Sequence, residues 1–238
     1  MTLPALPPRF LATHLLWPLH LFALLMLCIE NSGLDLWVAD QLYAWSGSAW
    51  TLRDAWLTEG LIHLYGRKLI AMFGTLLLLL LADSYFHPRL KRYRIGFWYL
   101  LTSALATVIV INATKYLSHV DCPWDLQRYG GEFPYVHKFA PHPGTFRVGN
   151  CFPAGHASGA YGWFGLYYLC LMFFPQWRWR AFSGVLLLGV IFGIGQQLRG
   201  AHFISHDLWS LALCWFTASL VYWGFVKFWS RAGVATPI

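Results

Sequence analysis

Three short stretches bring together side chains able to do acid–base or nucleophilic work. The first is Lys115-x6-Cys122-Pro123 and the second is Pro153-Ala154-Gly155-His156. The third runs Arg199-Gly200-Ala201-His202-Phe203-Ile204-Ser205-His206-Asp207. An imidazole can pass a proton or attack an electrophilic centre, and a lysine or arginine can hold anionic oxygens. A glycine turn that opens a helix adds backbone N–H groups aimed at the same oxygens. Together these residue types suit a phosphoryl group. His119 lies within the first stretch, and between the first two lie Arg128, Lys138 and Arg147, with His137 and His142. The three histidines read as loop residues making local bonds. Either arginine is a candidate to fold back over a bound anion.

The elements that must position these residues are written in the composition. The chain has 238 residues, 58% hydrophobic and only 11% charged, where a soluble domain carries about 25% charged residues. An ordinary water-soluble enzyme, a disordered chain and a disulfide-dense scaffold are all excluded. Six segments approach the roughly 20 apolar residues that a spanning helix needs: 12–29, 69–86, 96–113, 157–174, 181–198 and 208–227. The fold expected is therefore all-α, a six-transmembrane helix bundle forming one membrane-embedded unit over residues 1–238. The first span lacks a small-x-small cleavage pattern at its exit and reads as a retained anchor.

Charge gives the orientation. Arg89, Lys91, Arg92 and Arg94 fill one short connection, Arg178 and Arg180 another, and Arg9, Lys227 and Arg231 flank the ends. Short basic loops stay in the cytoplasm, so both termini are expected there. The connections 30–68, 114–156 and 199–207 then face the periplasm, and all three reactive stretches share that side. In 30–68 apolar and charged residues alternate at near-helical spacing, which predicts short surface helices with a packing role. The net charge of +7 is explained by this sidedness, with no need of a nucleic-acid partner.

The three stretches resemble the signature of the type 2 phosphatidic acid phosphatase superfamily, in its bacterial membrane lipid phosphatase branch. There the pattern is K-x6-R-P, then P-S-G-H, then S-R-x5-H-x3-D. The resemblance implies that Lys115 is a phosphate-binding cation and that the Gly155 amide faces the phosphate. It implies that His156 protonates the departing oxygen and that His202 is the nucleophile forming a phosphohistidine. The implied chemistry needs no metal or other cofactor.

The departures are specific. Cys122 stands where the family has arginine, and Ala154 where it has serine. Gln196 occupies the third motif's arginine position, with Arg199 one helical turn later and able to reach the same phosphate. His206 takes the place of the aspartate that would orient the nucleophile, with Asp207 next along. On a helix, i+4 shares a face with i while i+5 is turned about 140° away. His206 is thus favoured by geometry and Asp207 by chemistry. Cys122 and Cys151 are the one cysteine pair on the outward side, and their placement predicts a disulfide joining the first two stretches.

The function expected is removal of phosphate from a membrane lipid phosphate, of lipid A, prenyl phosphate or phospholipid type, with a lean toward lipid A. The bilayer and that substrate are the only partners implied, and no obligatory protein partner is inferred. Two alternatives stay open: a lipid phosphotransferase using the same site, and a non-catalytic lipid-binding protein.

Overall fold

The computed structural model describes residues 6–137, 140 and 149–231. The described residues are overwhelmingly helical. A π-helical turn, Ala12–Leu16, leads into α1 (Trp17–Ser32). Gly33, at φ 66°, takes the left-handed conformation that lets the chain turn at once into α2 (Leu34–Trp45). A second π-helical stretch, Trp56–Tyr65, runs without a break into α3 (Gly66–Asp83). Then come the short α4 (Pro88–Lys91) and the long α5 (Arg94–Ser118). The remaining helices are α6 (Gly155–Tyr161), α7 (Gly165–Phe173), α8 (Arg178–Leu198) and α9 (Ile204–Arg231).

Among the described residues, five helical stretches are long and apolar enough to cross a membrane: Ala12–Ser32, Trp56–Asp83, Arg94–Asp125, Pro175–Leu198 and Ile204–Phe228. The chain is a multi-pass membrane protein. The segment 157–174, expected as one continuous span, is instead three pieces: α6, a 3-10 turn at Gly162–Phe164, and α7. The reason is its position. Ala157, Tyr161, Phe164, Tyr167 and Tyr168 are all buried, so this segment is walled by α5, α8 and α9. A helix surrounded by protein does not need a continuous apolar surface, and its glycines serve close approach. A methyl group on Gly165 would lie 2.8 Å from Leu100 Cδ1 of α5.

Two cores result. The larger one is aromatic, with Tyr99, Phe164, Tyr168 and Tyr222 buried at its centre. Two of its hydroxyls are satisfied internally: Tyr99 donates to the Ala218 carbonyl at 3.2 Å, and Tyr168 bonds Ser219 Oγ at 2.6 Å. The smaller core gathers Ala39, Trp50, Leu126, Tyr129 and Phe203 over the end of the bundle where α5 finishes and α9 begins. Of the expected surface helices, α2 forms and packs into this small core. The other does not form separately: residues 56–65 are the first turns of the α3 span. Amphipathic spacing alone does not distinguish a surface helix from the half-buried start of a longer one.

Candidate active site

The third stretch forms the link between α8 and α9. Gly200 turns at φ 74°, and a side chain there would collide with the Trp50 ring, 2.5 Å from the nearest ring carbon. The Gly200 carbonyl accepts from Trp124 N–H at 2.9 Å. Asp35 of α2 anchors the start of α9, accepting from Ser205 N–H at 2.9 Å and from the Ser205 hydroxyl. A carboxylate there also faces the positive end of the helix dipole. His202 is thus fixed from both sides by the small core and α2.

The second stretch is held against the first and third. Ala154 N–H donates to the His206 carbonyl at 3.2 Å, and the Ser210 hydroxyl lies between the Ala154 and His206 carbonyls at 2.9 and 3.0 Å. Ala154 is fully buried. The expected disulfide is present: Cys122 and Cys151 are bonded, with Cα atoms 5.2 Å apart and 29 positions of sequence between them. Closing a loop of that size is worth about 3–4 kcal/mol in the chain-entropy model. Lys115, in the last turn of α5, donates to the Asn150 carbonyl at 2.8 Å. Its Cε lies 3.0 Å from where a Cβ on Gly155 would stand, so glycine there lets the ammonium cross the start of α6.

His202 sits where these elements meet. Burial pushes its pKa down to about 3, the Lys115 charge adds to this, and His156 and Arg199 act in the same direction. A backbone hydrogen bond to Cys151 works the other way. Its Nδ1 is buried with no hydrogen-bond partner among the described residues. The result is a neutral imidazole with an available lone pair. The His206 ring lies beside it, centroids 5.7 Å apart. Asp207 turns elsewhere, accepting from Gln197 Nε2 and packing on Gly193 of α8.

His156 donates from Nε2 to the Ile62 carbonyl at 3.0 Å and stacks on Phe192, centroids 4.2 Å apart. A carbonyl can only accept, so Nδ1 is the nitrogen left to exchange a proton. Burial, and next the nearby His63 charge, lower the His156 pKa to about 4; Arg199 and Arg67 add to this and the Ile62 bond opposes it. Arg199 is only 6% exposed. It donates to the Arg53 carbonyl at 2.7 Å, to Gln196 Oε1 at 3.1 Å and to Glu59 Oε2. A guanidinium has five N–H groups, so these three bonds fix its plane and leave two for a ligand.

Several placements differ from what sequence suggested. Arg128 is committed to Asp40 of α2 by a two-pronged pair, at 2.7 and 2.6 Å. Arg147, with Lys138 and His142, lies outside the described residues. Glu59 and His63, given only a packing role, instead reach Arg199 and His156. The signal available was the Glu59-x3-His63-x3-Arg67 spacing, one helical face of ionisable groups at the head of an apolar span. Among the described residues, no group of three His, Cys, Asp or Glu side chains is placed to hold a metal ion.

The depressed histidines make stability depend on pH. His156 and His202 stay neutral in the folded protein down to about pH 4 and about pH 3, whereas an unfolded chain takes up those protons near pH 6.5. Stability from keeping them neutral is complete above about pH 6.5 and is lost as pH falls from there toward the folded values. The thermal midpoint in detergent should therefore fall between about pH 7 and about pH 4.5, and fall less in His202→Gln. A midpoint with the same pH dependence in both proteins contradicts this.

Fold and site together define an all-helical, multi-pass membrane protein with histidines and basic residues drawn together at one end of its helices. The chain belongs to the PAP2 superfamily, whose family model matches residues 96–230. Members of that superfamily are phosphatases, which places the chain in general terms among phosphoric ester hydrolases. No curated protein and no solved structure matches it.

Proposed function

We propose that the chain is a lipid phosphatase of a bacterial inner membrane, working through a phosphohistidine on His202 at the periplasmic face. The carrying observation is geometric: Ala154 N–H, beside His156, donates to the His206 carbonyl, Lys115 reaches the Asn150 carbonyl beside Cys151, and Arg199 lies three residues before His202 in the same link. In the first step a His202 ring nitrogen attacks phosphorus, the P–N bond forms and the bond to the lipid oxygen breaks. His156 gives its Nδ1 proton to that oxygen. An incoming phosphate dianion supplies the negative charge that lets His156 hold this proton at neutral pH. In the second step water attacks phosphorus, His156 takes the water's proton and the P–N bond breaks, releasing phosphate. Lys115 and the two remaining Arg199 N–H groups bind the non-bridging oxygens. The backbone bond to Cys151 orients the His202 ring on this reading, with the His206 ring packed beside it in place of the expected hydrogen-bonded orienting role.

Two features support a lipid substrate and this orientation. A groove of about 320 Å³ starts at Lys115 and Gly155 and runs past Gly159, Ile70 and Gly74 between α3, α5 and α6. An acyl or prenyl chain fits that setting. Arg94 opens α5 and Lys115 lies near its far end, about 32 Å away at 1.5 Å per residue. The basic loops thus lie opposite the site, consistent with six spans and cytoplasmic termini.

The test is phosphate release by purified protein in detergent, from lipid A, undecaprenyl diphosphate and phosphatidylglycerol phosphate presented separately without an acceptor lipid. Release from at least one, with lipid A favoured, is expected. Release only when an acceptor lipid is added would make the protein a phosphotransferase. No turnover under either condition would leave the non-catalytic reading.

A further inference from the structure

The segment of the chain before residue 96 lies outside the family match, yet it touches two of the three reactive stretches. Glu59 Oε2 accepts from Arg199 Nη2 and, at 2.9 Å, from His63 Nδ1. The His63 ring then meets His156 edge-on, with centroids 5.0 Å apart and planes at 78°. One turn further, Gly66 admits the His156 ring: a methyl there would stand 3.2 Å from His156 Cε1. The result is an unbroken series, Arg199–Glu59–His63–His156, in which both inner members come from the head of the α3 span.

We propose that Glu59 and His63 are positioning residues that fix the His156 imidazole, using the phosphate-binding Arg199 as their anchor. This rests on the reading of His156 as the proton donor. Three observations carry it. Glu59 shares a single carboxylate oxygen between Arg199 and His63, so moving either partner disturbs the other. His63 uses Nδ1 on Glu59, which sets the angle at which its ring faces His156. The other constraints on His156 are the stack on Phe192 and the one bond to Ile62, and Ile62 lies next to His63 in the same π-helical stretch. The helix that carries Glu59 and His63 thereby supplies two of the three contacts that hold the ring. An imidazole displaced by about 1 Å loses on the order of a hundredfold in proton transfer.

A positioning role that works through a proton donor has a signature a general structural role lacks. It matters for a poor leaving group and not for a good one. Purified protein would be given a short-chain phosphatidic acid, whose departing alkoxide needs a proton, and p-nitrophenyl phosphate, whose phenolate does not. His63→Asn should slow release from phosphatidic acid about tenfold or more while changing the first release of p-nitrophenol, before the phosphohistidine is hydrolysed, by less than about threefold. Glu59→Gln, which also loosens the phosphate-binding Arg199, should slow both. His63→Asn should not slow His156→Ala further, the non-additivity expected of residues acting through one group. Equal first-step losses on both substrates in His63→Asn, or a loss that multiplies with His156→Ala, would overturn the proposal. A wild-type protein that releases phosphate from neither of these substrates nor from any lipid of the panel above would overturn the phosphatase reading itself. Should Glu59→Gln not give folded protein, the His63→Asn comparison alone decides.

Discussion

Replacing His202 by alanine should reduce phosphate release by more than about a thousandfold, with the protein still folded. The size follows from what the side chain would do. A covalent intermediate divides the displacement into two easier steps, and no neighbouring group offers an equivalent route. His206, whose ring centroid is 5.7 Å away, is nearly fully buried, and its backbone carbonyl is tied to Ala154 and Ser210. Lys115 is held on the Asn150 carbonyl. Folding should survive, because His202 lies in the link between α8 and α9, whose path is set by Gly200, Trp50 and the Asp35–Ser205 contact. Undiminished turnover in a folded variant would remove the phosphohistidine mechanism.

His156→Ala should be nearly as damaging, by about 10² to 10⁴ in turnover of a lipid phosphate, and the loss should follow the leaving group. A lipid alkoxide leaves only as it is protonated. With p-nitrophenyl phosphate the first release of p-nitrophenol should be far less affected, since that leaving group departs unprotonated. Steady turnover of both substrates should still fall, because His156 takes the proton from the attacking water in the second step, and phosphorylated protein should build up on p-nitrophenyl phosphate. A first-step loss of equal size on both substrates, with no build-up of phosphorylated protein, would assign His156 to binding.

The legible part of the molecule is the part written in short range. The apolar segments that become the long helices and the three reactive stretches follow from spacing over a few residues. The adjacency of Cys122 and Cys151 followed from their shared side of the membrane. The His206 ring lies beside His202 and Asp207 faces Gly193 and Gln197, but His202 sits in the link before α9, so the helix face that the spacing assumed is not what sets this arrangement. What did not follow is tertiary. Glu59 meets Arg199 and His63 meets His156 across 140 and 93 positions of sequence, and no periodicity encodes which face of one helix will meet which loop. Arg128 shows the converse. A basic residue beside reactive motifs looked available, but Asp40, 88 positions earlier, holds it. The broken helix at 157–174 was hidden for a related reason: apolar content does not reveal whether lipid or protein will surround a segment.

The central claim is that His202 carries the phosphoryl group between lipid and water. Protein mixed with a lipid phosphate substrate, quenched within a turnover into alkali (where phosphohistidine survives) and digested for peptide mass spectrometry, reports this directly. The account predicts phosphate on the peptide containing His202, at nitrogen, and none in His202→Ala. Phosphate release proceeding at full rate with no phosphorylated peptide, or with the phosphoryl group on another residue, would contradict it.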